Sequence, residues 1–358
     1  DIIYIHSSIK NLKSLPDILD NESQVTAKFD DEINRVFKIW NSINSRFNCP
    51  IIQNNFELPS TRNLGNLDFA HPSGVTRFIN RINQRLADEA RERNYLHIND
   101  ISYLSAWHGI GNWFSNVEWY RSKHSVSLKY VPYLAHNLKG IILAIFGRNK
   151  KALVLDLDNT LWGGVIGDDG IDGIAIGNGD PTSEAFLDFQ TYIKGLHDRG
   201  IILTVASKNE LSNAIDGIRH PEMILKEADF ASIKANWLNK AENIQEIAKE
   251  LNILEDSLVF VDDNPAEREA VRQFLPEVSV LELSDQVSDY INNMDRSNYF
   301  EIVCLSDDDF KRNETYEANK EREAAIKKEK ADQDKAQKAE LAADEAEHEA
   351  ELERLAAI

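Results

Sequence analysis

The stretch Lys151-Ala-Leu-Val-Leu-Asp-Leu-Asp-Asn-Thr-Leu161 carries the reading of the whole chain. Its apolar run, Ala152 to Leu155, ends in two aspartates, Asp156 and Asp158. A short continuous apolar run reads as a strand buried on both faces, and so as a central strand of a parallel sheet. Carboxylates at such an end are expensive to bury unpaired, so a cation or a dense hydrogen-bond network must hold them. Ligands of open α/β sheets bind at the carboxyl ends of the strands. Asp156 and Asp158 are therefore read as groups around a bound metal. The bland alternative is a polar strand end that caps the following loop.

Two further apolar runs repeat the pattern. Ile201-Ile-Leu-Thr-Val-Ala206 ends in Ser207-Lys208-Asn209. A hydroxyl and free backbone N–H groups at the head of the next helix make an anion cradle, although Ser207 as a plain helix cap fits the same residues. Leu258-Val-Phe-Val261 ends in Asp262-Asp263-Asn264-Pro265. Three strand ends that each present acid or hydroxyl groups are hard to explain by packing alone. An anion bound in such a cradle also needs a fixed cation, for which Lys208, Lys234 and Lys240 are candidates.

Asp156-Leu-Asp158-Asn-Thr160 resembles the first motif of the haloacid dehalogenase superfamily. The residues that follow, Leu161-Trp162-Gly163-Gly164-Val165-Ile166-Gly167-Asp168-Asp169-Gly170, are similar to the FkbH-like branch of that superfamily. So are His220-Pro-Glu-Met-Ile-Leu-Lys-Glu-Ala-Asp-Phe230 and Asn236-Trp-Leu-Asn-Lys240, and the resemblance runs to about Tyr316. It implies a Rossmann-like α/β fold, a parallel sheet with helices on both faces and no large cap. It implies Mg2+ as cofactor, Asp156 as nucleophile and Asp158 as general acid and base. Ser207 and Lys240, with Lys208 and Asn209 beside them, would bind phosphate. The metal would be held by Asp156, the backbone carbonyl of Asp158 and the Asp262/Asp263 pair. Within that pair Asp263 is favoured as direct ligand and Asp262 as partner of Lys240 or of a metal-bound water. The glycine-rich stretch reads as a hairpin or flap. Trp162, Gly163 and Gly164 of that flap would touch substrate or the neighbouring domain.

The activity so implied is Mg2+-dependent phosphohydrolysis or phosphotransfer through an aspartyl-phosphate. The substrate would be a phosphate ester, an acyl phosphate or a carrier-linked group. One alternative is a glyceryl transferase that loads an acyl carrier protein thiol from an acyl phosphate. Another is a non-catalytic interaction module.

Composition bounds the partners. The net charge of -20 repels nucleic-acid phosphates and anionic lipid, so neither nucleic acid nor membrane is expected as a partner. Hydrophobic residues make up 42%, enough to build a core. The longest clean apolar run, residues 141–146, is too short to span a bilayer. Cys49 and Cys304 show no metal-ligand spacing, which suits a reducing cytoplasm. The chain opens on Asp1 in a strand-like stretch and is read as a fragment or a processed form.

Three regions are expected: 1–147, 148–305 and 306–358. The first alternates strands (2–5, 50–52, 95–98) with helices (29–47, 74–94, 130–143) and resembles an SGNH-hydrolase-like domain. That family's Gly-Asp-Ser motif is missing, so no hydrolytic role is assigned there. Asp100, His108 and His124 are read as surface or packing residues. Trp107, Trp113, Phe114, Trp119 and Tyr120 form an aromatic group suited to packing or to gripping a flat ligand. The last region, rich in Ala, Glu, Lys and Asp, reads as a helical or partly disordered tail.

Overall fold

A computed structural model describes residues 1–307 and 309–313. It divides into two compact units: Asp1–Asn149 with Asn298–Val303, and Lys150–Ser297 with the residues from Cys304 onward. The tail expected over 306–358 lies almost wholly outside the described residues.

In the first unit, three strands, β1 (Ile3–Ile5), β2 (Ile51–Asn54) and β3 (Leu96–Asn99), form a parallel sheet in that order. Between them run α1 (Glu22–Asn44) and α2 (Val75–Arg91). The apolar spacing places the start of α1 near residue 29, but the helix begins at Glu22. Asn21 and Gln24 form a reciprocal capping box there, each side chain accepting from the other's backbone N–H at 3.0 and 2.9 Å. Val25, Ile33, Val36, Trp40, Phe78 and Ile82 pack these helices on the sheet.

The unit continues through α3 (Ile101–His108), α4 (Ile110–Trp113), α5 (Asn116–Ser122) and α6 (Val131–Ile145). The aromatic group splits here. Trp113 is buried with Tyr130 and Leu134 in a small core, whereas Trp107 and Tyr120 are exposed. His108 lies against the rings of Trp113, Tyr130 and Tyr133. Asp100 caps α3 and accepts from the Asn55 amide at 2.7 Å.

The second unit holds a parallel sheet of five strands among the described residues, in the order β6-β5-β4-β7-β8. Its elements in chain order are β4 (Ala152–Leu155), α7 (Ile166–Asp169), α8 (Pro181–Asp198), β5 (Ile202–Ser207), α9 (Leu211–Ile218), β6 (Phe230–Ala235), α10 (Lys240–Glu250), β7 (Leu258–Val261), α11 (Pro265–Phe274), β8 (Ser279–Val280) and α12 (Tyr290–Arg296). β4, β5 and β7 are buried at every position, as central parallel strands covered on both faces must be. β6 escapes the sequence reading because an edge strand needs no unbroken apolar run. Its residues alternate between buried and half-exposed and include Lys234. β8 covers only two residues, because the chain leaves the opposite edge once Leu281 N–H has bonded to the Phe260 carbonyl.

No helix among the described residues is long and apolar enough to cross a membrane.

Glu57 is an unusual burial in the first unit. It is 3% exposed; one carboxylate oxygen accepts from the Ile9 N–H at 3.2 Å, and the other has no partner. Burial pushes its carboxyl from 4.5 up to about 7, against the pull of backbone N–H groups and Lys10. A raised folded-state value means that the folded chain holds the proton more tightly than the unfolded one. The contribution of Glu57 to stability is then greatest below pH 4.5 and falls as pH rises toward 7. Glu57→Gln removes that dependence. Urea unfolding of variant and wild type should show their difference growing by roughly 3 kcal/mol between those pH values. A difference that does not vary with pH would show that Glu57 ionises normally in the fold.

Candidate active site

The register of the central strands brings the acidic strand ends together. Leu155 of β4 pairs with Val261 of β7, and the Asp156 N–H donates to the Val261 carbonyl at 2.9 Å. Asp156 and Asp262 therefore leave adjacent strands side by side. One carboxylate oxygen from each of Asp156, Asp262 and Asp263 lies within 4.8 Å of the others. Asp156 and Asp262 are buried, and Asp263 is half-buried.

Lys240 enters this cluster as the first residue of α10, where Asn239 caps the helix by accepting from the Ala241 N–H at 2.9 Å. Its ammonium is 3% exposed and lies 2.9 Å from Asp156 and 2.5 Å from Asp262. Burial pulls the Lys240 value down, but the charges of Asp156 and Asp262 outweigh it and the net shift is upward. Burial, then the Asp156 charge, pushes Asp262 up to about 7 despite Lys240. Asp263 is raised by the same two causes. Asp262 has both oxygens engaged, one by Lys240 and the other by the Asn264 N–H at 2.8 Å.

The donor set fits a hard divalent cation. Asp156 Oδ1 is buried without a hydrogen-bond partner, beside an Asp263 carboxyl that no lysine neutralises directly. Oxygen ligands of this kind, completed by waters and a phosphate oxygen, suit a small divalent ion. The Thr160 hydroxyl, on the loop after β4, is a second buried group without a partner.

Asp158 sits apart from the three converging carboxylates. Its Oδ1 accepts from the Trp162 indole at 2.9 Å and the Ile166 N–H at 3.1 Å, and its Oδ2 from the Asn209 amide at 3.0 Å. Burial raises its value most, the three donors lower it, and the Asp156 charge adds to the rise, leaving a net upward shift. It is a half-buried carboxyl held in a fixed orientation.

A family model described as FkbH, N-terminal domain, matches residues 1–143. The N-terminal part of the protein BF1531 from Bacteroides fragilis, a crystal structure containing a phosphatase domain complexed with Mg, is 35% identical. It superposes with a TM-score of 0.78 over 85% of this chain and 80% of that one. This chain belongs to the FkbH-like branch of the haloacid dehalogenase superfamily. An uncharacterised protein from Corynebacterium glutamicum matches at 13% identity and a TM-score of 0.30, over 42% of this chain and 96% of that one, and carries no argument. No curated protein matches.

Several residues of this FkbH-like chain differ in place from the sequence expectation. Trp162 is not exposed for contact with substrate. It is fully buried, donates to Asp158 and fills the space over Gly217, where an added Cβ would meet its ring at 2.7 Å. Asn209 is turned to Asp158 rather than to a phosphate position: its own Oδ1 accepts from the Glu210 N–H, which leaves the amide for Asp158. Lys208 is drawn to the surface by Glu267 at 2.6 Å. The Asp158 carboxylate is not part of the metal-competent group. The glycine-rich stretch is no hairpin. Gly163 exchanges backbone bonds with Ala175 at 2.9 and 2.8 Å, closing a loop that contains the single turn of α7. Gly164, at φ 89°, donates its N–H to Asn159 Oδ1 at 2.9 Å. Ser207 is the last residue of β5, 1% exposed, beside the end of β4.

Two supporting residues carried no signal in the strand-end pattern. The Tyr290 hydroxyl, from α12, donates to the Asn159 carbonyl at 3.3 Å and braces the loop after β4. Arg268, 8% exposed on α11, donates from Nη1 to the carbonyls of both Asp262 and Asp263 at 2.8 Å. A charged residue three positions after Pro265 reads as ordinary helix surface; only the turn of the chain at Asp262-Asp263 makes it an anchor.

Arg268 holds the backbone of the turn that presents both Asp262 and Asp263 to Asp156. Arg268→Gln should weaken divalent-cation affinity roughly tenfold or more, as loss of a ligand's support does. Calorimetric titration with Mg2+ measures it, with circular dichroism as the check on folding. Unchanged affinity in a folded variant would show that the acidic pair needs no such anchor.

Proposed function

We propose that the second unit is a Mg2+-dependent phosphatase that works through an aspartyl-phosphate on Asp156. The observation that carries this reading is the meeting of Asp156, Asp262 and Asp263 around one point, with Lys240 buried against two of them. The phosphatase domain complexed with Mg in the related B. fragilis protein supports it.

Asp156, Asp263 and their waters would hold the ion, which when bound offsets negative charge on the phosphoryl oxygens. An oxygen of Asp156 forms the new bond to phosphorus, and the bond from phosphorus to the leaving oxygen breaks. Asp158, whose proton affinity burial and the Asp156 charge raise, gives a proton to that leaving oxygen. In the second half Asp158 takes a proton from water, whose oxygen attacks phosphorus and frees Asp156 with release of phosphate. Lys240 and Ser207 would hold the phosphoryl oxygens, with Lys240 anchored by Asp262. Trp162 and Asn209 keep the Asp158 carboxyl pointed in one direction through both halves. No hydrolytic role is assigned to the first unit.

Asp156→Asn should abolish Mg2+-dependent phosphate release from acetyl phosphate, measured by a colorimetric phosphate assay. Asp158→Asn should lose roughly a hundredfold or more with a poor leaving group and less with acetyl phosphate, which needs less proton help. Full activity in the Asp156 variant would remove it as nucleophile.

A further inference from the structure

We propose that Trp237, braced by Glu210, is a stacking platform for a flat apolar body on the phosphorylated substrate, so that the site prefers aromatic over small phosphates. This rests on the phosphatase reading of the same site and specifies its substrate class.

Trp237 lies in the short loop between β6 and α10. It is 69% exposed, and its neighbour Leu238 is 52% exposed. Leu211, the first residue of α9 and next to Glu210 in the chain, is also 52% exposed. Single exposed apolar residues need no explanation, but large ones gathered at the mouth of a site do. Their location follows from the chain. Trp237 is three residues before Lys240, and Glu210 is three residues after Ser207. Both loops leave the carboxyl ends of neighbouring strands, where ligands of parallel sheets bind.

The loop is held rather than loose, unlike an incidental exposed side chain. The Trp237 indole N–H donates to Glu210 at 2.7 Å. Asn236 and Asn243 exchange side-chain hydrogen bonds at 3.1 and 2.9 Å. The Asn236 N–H donates to the Ser207 carbonyl at 3.2 Å, and the Leu238 N–H to the Asn236 side chain at 3.0 Å. A ring whose polar edge is satisfied and whose backbone is pinned keeps its faces for another flat group. Its ordering cost is already met by the fold. Glu210 is a positioning residue here: it acts on substrate only through the indole.

Binding and turnover test this separately. Benzylphosphonate and methylphosphonate, neither of which can be hydrolysed, are titrated in the presence of Mg2+ against wild type, Trp237→Phe and Trp237→Ala. Benzylphosphonate affinity should fall roughly three- to tenfold in Trp237→Ala and recover in Trp237→Phe. Methylphosphonate should not discriminate among the three proteins. Glu210→Ala should weaken benzylphosphonate binding, and Glu210→Gln, which keeps an acceptor oxygen, should restore it. In turnover, the ratio of kcat/KM for phenyl phosphate over acetyl phosphate should fall by a similar factor in Trp237→Ala. Equal loss for both phosphonates, or no loss for either, overturns the platform. Turnover of acetyl phosphate alongside that result would leave the phosphatase reading intact. Conversely, Trp237-dependent binding without turnover of any phosphate would keep the platform and remove the phosphatase.

Discussion

The buried contact of Lys240 with Asp156 and Asp262 is the constraint on which the second unit's site depends. Three carboxylates and one ammonium meet where β4 and β7 end, a formal balance of -2 when all are ionised. A lysine that is 3% exposed is tolerable only because two carboxylates face it. The carboxylates in turn are tolerable beside one another only when positive charge joins them. Lys240 supplies part of that charge as a permanent fixture and leaves Asp156 Oδ1 and Asp263 without a direct partner among these groups. The site is thus neutralised enough to fold and incompletely enough to bind a cation and then a phosphate.

The surroundings divide the aspartates by role although their chemistry is identical. Asp262 is clamped by Lys240 and a backbone N–H, which makes it an anchor for the ammonium. Asp263 comes from the same turn, whose two carbonyls Arg268 grips, and joins Asp156 and Asp262 in the metal-competent group. Asp158, two residues from Asp156, is surrounded by Trp162, Asn209 and the Ile166 N–H and is left with a raised proton affinity. A strand end alternates its side chains, so neighbours two apart share a direction only while the strand lasts. Beyond Leu155 the chain turns into a loop, and Asn159 adopts a left-handed φ of 54°. That departure allows Asp156 to meet Asp263 while Asp158 enters its own cage.

Much of the second unit was legible because central parallel strands write themselves as unbroken apolar runs. β4 and β7 occupy the runs at 152–155 and 258–261, and β5 follows the run at 201–206 shifted by one residue. What failed was at the margins, where that rule does not hold. β6 is half-exposed and interrupted by Lys234, so no apolar run announces it. β8 stops after two residues because no further strand follows it among the described residues. Trp162 and Asn209 were placed against substrate because both stand within a few residues of the reactive groups. Nearness along the chain does not say on which side of a carboxylate a neighbour lies. In both cases the side chain turned back to Asp158 from behind.

From sequence alone came the parallel α/β sheet and the choice of Asp156, Asp158, Ser207, Lys240, Asp262 and Asp263 as the residues of interest. The strands and the polar groups at their ends follow from local patterns, since an apolar run fixes a buried strand and polar groups at its end must face an opening; the choice of Lys240 came from the family resemblance. The tertiary structure alone decided which of them touch. The register Leu155 to Val261 set Asp156 beside Asp262, and the cap at Asn239 aimed Lys240 between them. The turn at Asp262-Asp263, gripped by Arg268, brought both carboxylates to Asp156. Such choices depend on contacts between segments tens of residues apart, and no local pattern contains them.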